Sequence, residues 1–471
     1  MNIKKIIHFS IGPIGAAALS LITLPFVAWF FSVEDVGRLT MLQVTLGLSV
    51  SLFSLAMHQA YVREYHEEDD KAALFKHAVL PGMVILTVCL MFLIFSPWSI
   101  SKLLFDIDSS LLTWLLIIGV YCSYFINFFA HVVRMEERGL VFSATQILPK
   151  LLLLIFIGFI FFLNLCAEFQ TLMLMNVLAV GSSVSIFAWW TRSTWLPAIL
   201  KPLDRELLHR MLTFSLPLVA GGMAYWGLTT MDRFFLRSFS GFEELGVYAL
   251  SVSLAGAVSV ISTIFSNLWH PILYKWVKNG VDKQKVLNVI ECMLLAVFLI
   301  WSLVGMFSFV LVYFLPPEYS AIEYLIVACI AMPLFTMLSE TTGVGIGITR
   351  RSSFSMLASI SAFVVNAILN YILIPDFGSS GAAIATLLAF FTYFVVRTEA
   401  TAKLWWHFPR VKIYFVSTLY ISATIIMIIM ESKFEFFILY WLFLFLLVFI
   451  VYFNRFKYVT FKFYKYLGKI H

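Results

Sequence analysis

The chain has 471 residues, 61% hydrophobic and only 12% charged, with a mean hydropathy of +0.94. A soluble domain carries roughly 45–50% apolar and about 25% charged residues, so a water-soluble globule of this size is excluded. Five scattered cysteines (Cys89, Cys122, Cys166, Cys292, Cys329) contain no C-x-x-C pair and indicate neither a disulfide framework nor a thiolate metal site.

Apolar runs of about 18 or more residues, each able to cross a hydrocarbon core of roughly 30 Å, recur from end to end. The sequence therefore predicts an all-α polytopic membrane protein. Fourteen spans are expected near 9–31, 36–62, 75–96, 111–133, 141–163, 168–190, 212–236, 245–270, 287–314, 322–348, 353–374, 381–402, 411–430 and 435–453. Lys4 and Lys5 precede a first run longer than the roughly 7–15-residue core of a signal peptide, so it reads as a retained helix. Between spans six and seven, Lys201 to Met211 holds Glu206 and Arg210 at i,i+4 spacing and is expected to be a short interfacial helix.

The cations orient the chain. With a cytoplasmic N-terminus, inner loops and tails hold 25 of the 32 lysines and arginines. Arg38, Lys102, Arg233, Arg237 and Lys433 are outside, and Lys150 and Arg397 lie within spans. That is the positive-inside bias over short loops, and it accounts for the net charge of +6 without nucleic acid. Both termini are then cytoplasmic. The tail after Phe453 interleaves Arg455, Lys457, Lys462, Lys465 and Lys469 with aromatic residues, as suits the lipid headgroup layer.

The chain also repeats itself. Phe9-Ser10 with Pro13 is echoed by Phe214-Ser215 with Pro217, and Glu34-Asp35-Val36-Gly37 by Glu243-Glu244-Leu245-Gly246. Arg138 ahead of Phe142-Ser143 is echoed by Arg350 ahead of Phe354-Ser355. The offsets are 205, 209 and 212 residues. Six spans per repeat is an even number, so the two six-helix lobes are parallel, an arrangement common among secondary transporters. The expected division is 1–200 for the first lobe, 201–405 for the second, and 406–471 for two C-terminal helices and the basic tail.

The same residues carry a family resemblance. Ala60-Tyr61-Val62-Arg63-Glu64, Asp232-Arg233-Phe234-Phe235-Leu236, Leu245-Gly246-Val247-Tyr248-Ala249-Leu250 and Trp269-His270-Pro271 occur in order. They are followed by Ile374-Pro375-Asp376-Phe377-Gly378-Ser379-Ser380-Gly381-Ala382-Ala383-Ile384-Ala385-Thr386. Together they resemble the polysaccharide and O-antigen flippases (Wzx-type) of the MOP superfamily, which also holds MATE drug exporters and the lipid II flippase. The resemblance implies MATE-like lobes and a flippase of the bacterial inner membrane. Its substrate would be an undecaprenyl-diphosphate-linked oligosaccharide, an O-antigen or capsule repeat unit, moved to the periplasmic leaflet by alternating access. An H+ or Na+ gradient would drive it, and polysaccharide polymerase or chain-length machinery would be its neighbours. No Walker A, H-E-x-x-H or G-x-S-x-G pattern supports ATP coupling or hydrolysis. Gly343, Gly345 and Gly347 lie within a span and read as a bent or tightly packed helix rather than a phosphate loop.

A charge at the bilayer centre costs roughly 2.5–3.5 kcal/mol or more, so a diphosphate must be met by cations in a wet cleft. Lys150, about twelve residues and so roughly 18 Å beyond Arg138, is expected near the midplane facing such a cleft. Arg63 would meet the diphosphate at the inner end, Arg233 and Arg237 at the outer end, and Arg397 lies within the twelfth span. Glu340, deep in span ten with no local partner in sequence, and Asp232, beside Arg233, are the candidates for ion coupling. His58, His131 and His270 fall near inner helix ends, where no special role is required of them. Tyr225, Trp226 and Tyr248 could stack on sugars or simply pack. Two alternatives remain: a MATE-like exporter of small organic cations, which would favour an acidic cleft, and a membrane polymerase or glycosyltransferase. The latter would need more outer-loop chemistry than Asp106 and Asp108 provide. No cofactor or metal is expected.

Overall fold

In lipid a chain must satisfy its backbone polar groups within itself, which favours helices, and every regular element among the described residues is helical. The computed structural model describes residues 3–163, 167–280, 283–431 and 434–452. The basic tail from Arg455 to Lys469, and Cys166, lie outside them. The chain divides into two compact units, Met1–Arg237 and Ser238–His471.

The first unit comprises α1 (Ile3–Phe30), α2 (Val33–Phe53), α3 (Met57–Glu64), α4 (Lys71–Ile94), α5 (Ile100–Phe105), α6 (Ser110–Met135), α7 (Gly139–Phe162), α8 (Phe169–Trp190), α9 (Arg192–Leu200) and nearly all of α10 (Arg205–Phe239). Helix α1 packs on α7, where Ser143 accepts the Gly12 amide at 2.9 Å, and α6 packs on α8. Ser32 caps α2 through the Asp35 amide, and Arg38 ties Glu34 and Asp35 to the Phe105 carbonyl. The acidic pair that opens the repeat motif is thus a helix start with its own counterion.

Two expectations are corrected here. The span expected over 36–62 is not one helix: Leu55 and Ala56 take left-handed φ values of 50° and 53° and separate α2 from α3. At this break α4 passes close by: a Cβ on Gly82 would stand 1.9 Å from the Phe53 carbonyl oxygen. The interfacial helix expected over 201–211 is absent as a separate element. The short helix is α9, and α10 starts at Arg205, where Asp204 accepts the Glu206 amide at 2.8 Å, then runs unbroken past Met211. Arg210 accordingly pairs across to Glu64 at 3.0 Å and to Glu68, not along the helix to Glu206.

The second unit comprises α11 (Gly241–Lys278), α12 (Lys283–Phe307), 3₁₀ turns at Ser308–Phe314 and Pro317–Tyr319, α13 (Ile322–Cys329), α14 (Ala331–Thr342), α15 (Val344–Ile348), α16 (Ser353–Leu404), α17 (Val411–Ile429) and α18 (Phe434–Val451). Its core centres on Trp301, whose ring lies 5.4 Å from Phe335 and 5.7 Å from Tyr420; Tyr420 in turn meets Trp441 at 5.9 Å. The Trp301 indole donates to the Val327 carbonyl, and Tyr420 bonds Ser302, so the buried polar atoms of these rings are satisfied. Helix α18 lies against α12 and α17 against α13.

The 52 residues of α16 contain a reversal. Gly378 (φ 49°, ψ −129°) adopts a conformation closed to L-residues, and a Cβ there would meet the Glu244 carboxylate at 2.7 Å. That carboxylate accepts the Ser379 amide at 2.8 Å, and Asn366 on one arm reaches Thr386 on the other. Twelve described helices are long and apolar enough to cross a membrane. The sequence reading expected fourteen: among the described residues two of its spans are joined in the single α16, kinked at Gly378, and the apolar α18 is shorter than the twelve.

Candidate functional site

In the first unit, the left-handed turn at Leu55–Ala56 rotates α3 so that His58, Gln59 and Arg63 face α6. Helix α6 answers with a polar stripe at helical spacing, Ser123, Asn127 and His131, continued by Arg134. The His58 and His131 rings lie 4.8 Å apart, His131 Nδ1 meets the Asn127 carbonyl at 2.8 Å, and the Arg63 guanidinium sits 4.4 Å over the Phe214 ring. Arg63 also lies 3.7 Å from Glu64, a carboxylate held chiefly by Arg210.

These side chains border two cavities that share His58 and Gln59. A cationic mouth of about 440 Å³ is lined by Arg63, Arg134, His131 and Phe214. A chamber of about 390 Å³ is lined by Ser51, Ser54, Ser123 and Asn127, with Gly47 and Gly222 leaving room in its wall. Among the described residues no acid lines either space. His58 Nδ1 and Asn127 Nδ2 are buried without a partner among the described residues. Such orphaned polar atoms in a bilayer-embedded bundle call for an explanation.

In the second unit, Glu340 of α14 accepts Arg397 of α16 at 2.5 Å and faces His270 Nε2 of α11 at 3.0 Å; Arg397 also donates to the Tyr393 hydroxyl. Glu340, His270 and Arg397 border a cavity of about 420 Å³ with Arg350. Glu340, expected to be without a local partner, is therefore doubly partnered by residues distant in sequence. The helix breaks at Gly343, and Cβ atoms on Gly345 and Gly347 would stand 2.7 Å from Thr401 and 2.5 Å from the Tyr274 hydroxyl. The glycine run is thus a bend and a tight packing surface together.

The remaining predicted residues lie elsewhere. Lys150 of α7 reaches α1, donating to the Ala16 carbonyl at 3.1 Å and the Ser20 hydroxyl at 2.5 Å. Among the described residues it has no ion pair with a carboxylate. Asp232, 2% exposed, accepts the Arg233 amide and pairs with its guanidinium at 3.1 Å. Arg237 pairs with Asp106, a largely exposed loop acid, at 2.6 Å. Tyr248 is fully buried and bonds Thr386, which makes it packing rather than a stacking platform. Outside the spans, Asp70 is held below the usual carboxylate range by its 2.6 Å ion pair with Lys201 and by the Ala73 amide.

Sequence reasoning passed over His270, the His58–His131 pair, Arg134, Gln59 and Asn127. The one available signal was the repeat of polar residues every three to four positions along an otherwise apolar α6.

Residues 3–277 match the family described as polysaccharide biosynthesis protein. Among solved structures, the lipid II flippase MurJ in its inward closed conformation is similar with a TM-score of 0.68 at 15% identity, over 96% of this chain and 99% of that one. An inward-facing multidrug resistance MATE transporter of the MOP superfamily gives a TM-score of 0.56 at 15% identity, over 84% and 95%. At those identities the likeness is one of fold. No curated protein matches by sequence. The family match spans more than half of the chain and contains the Arg63, Asp232 and Leu245 motifs: this multi-pass membrane protein belongs to the polysaccharide biosynthesis protein family.

Proposed function

We propose that the protein is a flippase that carries an undecaprenyl-diphosphate-linked oligosaccharide from the cytoplasmic to the periplasmic leaflet of a bacterial inner membrane by alternating access. The observation that carries this reading is the mouth at α3 and α6: Arg63, Arg134, His58 and His131 surround a cavity whose described lining holds no acid. Two guanidinium forks suit the oxygens of a diphosphate, whereas an organic cation would be repelled there. Lys150, Arg233, Arg237 and Arg397 remain proposed cations of the path, the last three in their ion pairs. The termini are proposed to be cytoplasmic, with polymerase or chain-length proteins as neighbours.

Coupling to H+ or Na+ is assigned to Glu340 rather than Asp232. Glu340 borders a cavity, and His270 beside it is 38% exposed, whereas Asp232 is sealed against Arg233. The test uses proteoliposomes with a fluorescent undecaprenyl-diphosphate oligosaccharide and scores its headgroup exposure to an impermeant reagent. Arg63→Ala with Arg134→Ala is expected to abolish exposure, and Glu340→Gln to remove its dependence on an imposed ion gradient. Unchanged translocation by the double arginine variant would refute the reading.

A further inference from the structure

We infer that the chamber beside the cationic mouth is a subsite for the neutral saccharide next to the diphosphate, with Asn127, Gln59 and Ser123 as its selecting residues. This rests on the lipid-linked glycan reading above. The two cavities share His58 and Gln59, so a ligand whose phosphates sit between Arg63 and Arg134 has its next group directed at the chamber. The chamber changes chemistry at that boundary. Beyond the shared His58 imidazole its polar side chains are hydroxyls and amides, and Leu46, Val50 and Leu218 supply apolar wall.

That combination matches a pyranose, which presents hydroxyls at its rim and C–H groups on its faces. Carboxamides suit hydroxyls because each offers donors and an acceptor together. Asn127 Nδ2 is buried with no partner among the described residues, and a sugar oxygen would complete it. The glycines count too: at Gly222 a Cβ would meet nothing within 4 Å, so the space is open where that helix borders the chamber. An acidic sugar would be drawn to the arginine mouth instead, so the chamber selects a neutral one.

The experiment measures binding by isothermal titration of the full-length protein in detergent. The probes are farnesyl diphosphate and farnesyl diphosphates bearing a panel of neutral hexose and N-acetylhexosamine disaccharides. At least one glycosylated probe should bind wild type more tightly than the bare lipid. Asn127→Leu, close in volume, and Gln59→Leu should each cut that probe's affinity by about tenfold, the net worth of one hydrogen bond. Asn127→Leu, at a residue that lines the chamber and not the mouth, should leave bare farnesyl diphosphate unchanged, whereas Arg134→Ala should weaken it as much as the glycosylated probe. Equal loss for bare and glycosylated probes in Asn127→Leu and in the milder Ser123→Ala would overturn the subsite. So would a panel in which no disaccharide improves on the bare lipid. A wild-type protein that binds no probe at all would instead overturn the lipid diphosphate reading, and the subsite with it.

Discussion

Glu340 and Arg397, 57 residues apart in sequence, close an ion pair at 2.5 Å that fastens α14 to the returning arm of α16. The guanidinium is only 11% exposed. Removing the acid alone strands that charge, which in comparable buried pairs costs roughly 3–5 kcal/mol. Glu340→Gln is therefore expected to destabilise by that order, and Arg397→Met added to it should recover most of the loss. Thermal unfolding of the full chain in detergent, followed by helical circular dichroism, reads both. Strictly additive losses would contradict the pairing.

Gly378→Ala should destabilise by about 2 kcal/mol or more, because a side chain adds left-handed strain of roughly 1–3 kcal/mol and pushes the Glu244 carboxylate off the Ser379 amide. Gly158→Ala in α7, where a Cβ meets nothing within 4 Å, is the control and should lose nothing. The same unfolding measurement compares them.

The Asp70–Lys201 pair gives a pH-dependent prediction. Because the folded carboxyl is held below its ordinary 3.8, its contribution is fully present above that value and disappears as the pH falls through the folded value. Both side chains are about 40% exposed, so the pair is worth a few tenths of a kcal/mol at most. Lys201→Gln should unfold slightly earlier than wild type at neutral pH, with the gap closing below pH 3.8 and widening again on added alkali to its neutral value. A gap independent of pH would remove the pair as its cause.

Lys150→Met should separate packing from transport. The lysine's two bonds to α1 are interhelical hydrogen bonds of a kind worth about 0.6–2 kcal/mol in bilayers, and methionine keeps the bulk of the stem. Stability should fall by no more than twice that range for the two bonds, while headgroup translocation drops about tenfold, the equivalent of roughly 1.4 kcal/mol. A variant that transports normally would leave Lys150 as a brace between α1 and α7.

The helical, multi-span architecture was legible because apolar length is a local property that the bilayer enforces. The site was legible only in pieces. Glu340 stood out as a charge in apolar surroundings and Arg63 by its motif at an inner helix end, but their partners are decided by which helix faces meet. Nothing in Ser54-Leu55-Ala56 announces a left-handed turn, since neither glycine nor proline is present, yet that turn brings His58 and Gln59 to α6. Likewise His270, Glu340 and Arg397 become neighbours only through the packing of α11, α14 and α16. The stripe of Ser123, Asn127 and His131 could have been read as a functional face, had its spacing been weighed above each residue's separate ordinariness.

The hairpin within α16 bears on how the chain is made. Asn370 bonds Asn366, and Asn366 finds its outside partner, Thr386, only on the descending limb. Halted after the ascending limb, a nascent polypeptide would present two carboxamides to hydrocarbon, an expensive intermediate. The return of the second limb is therefore what lets this polar pair lie buried between two apolar helices.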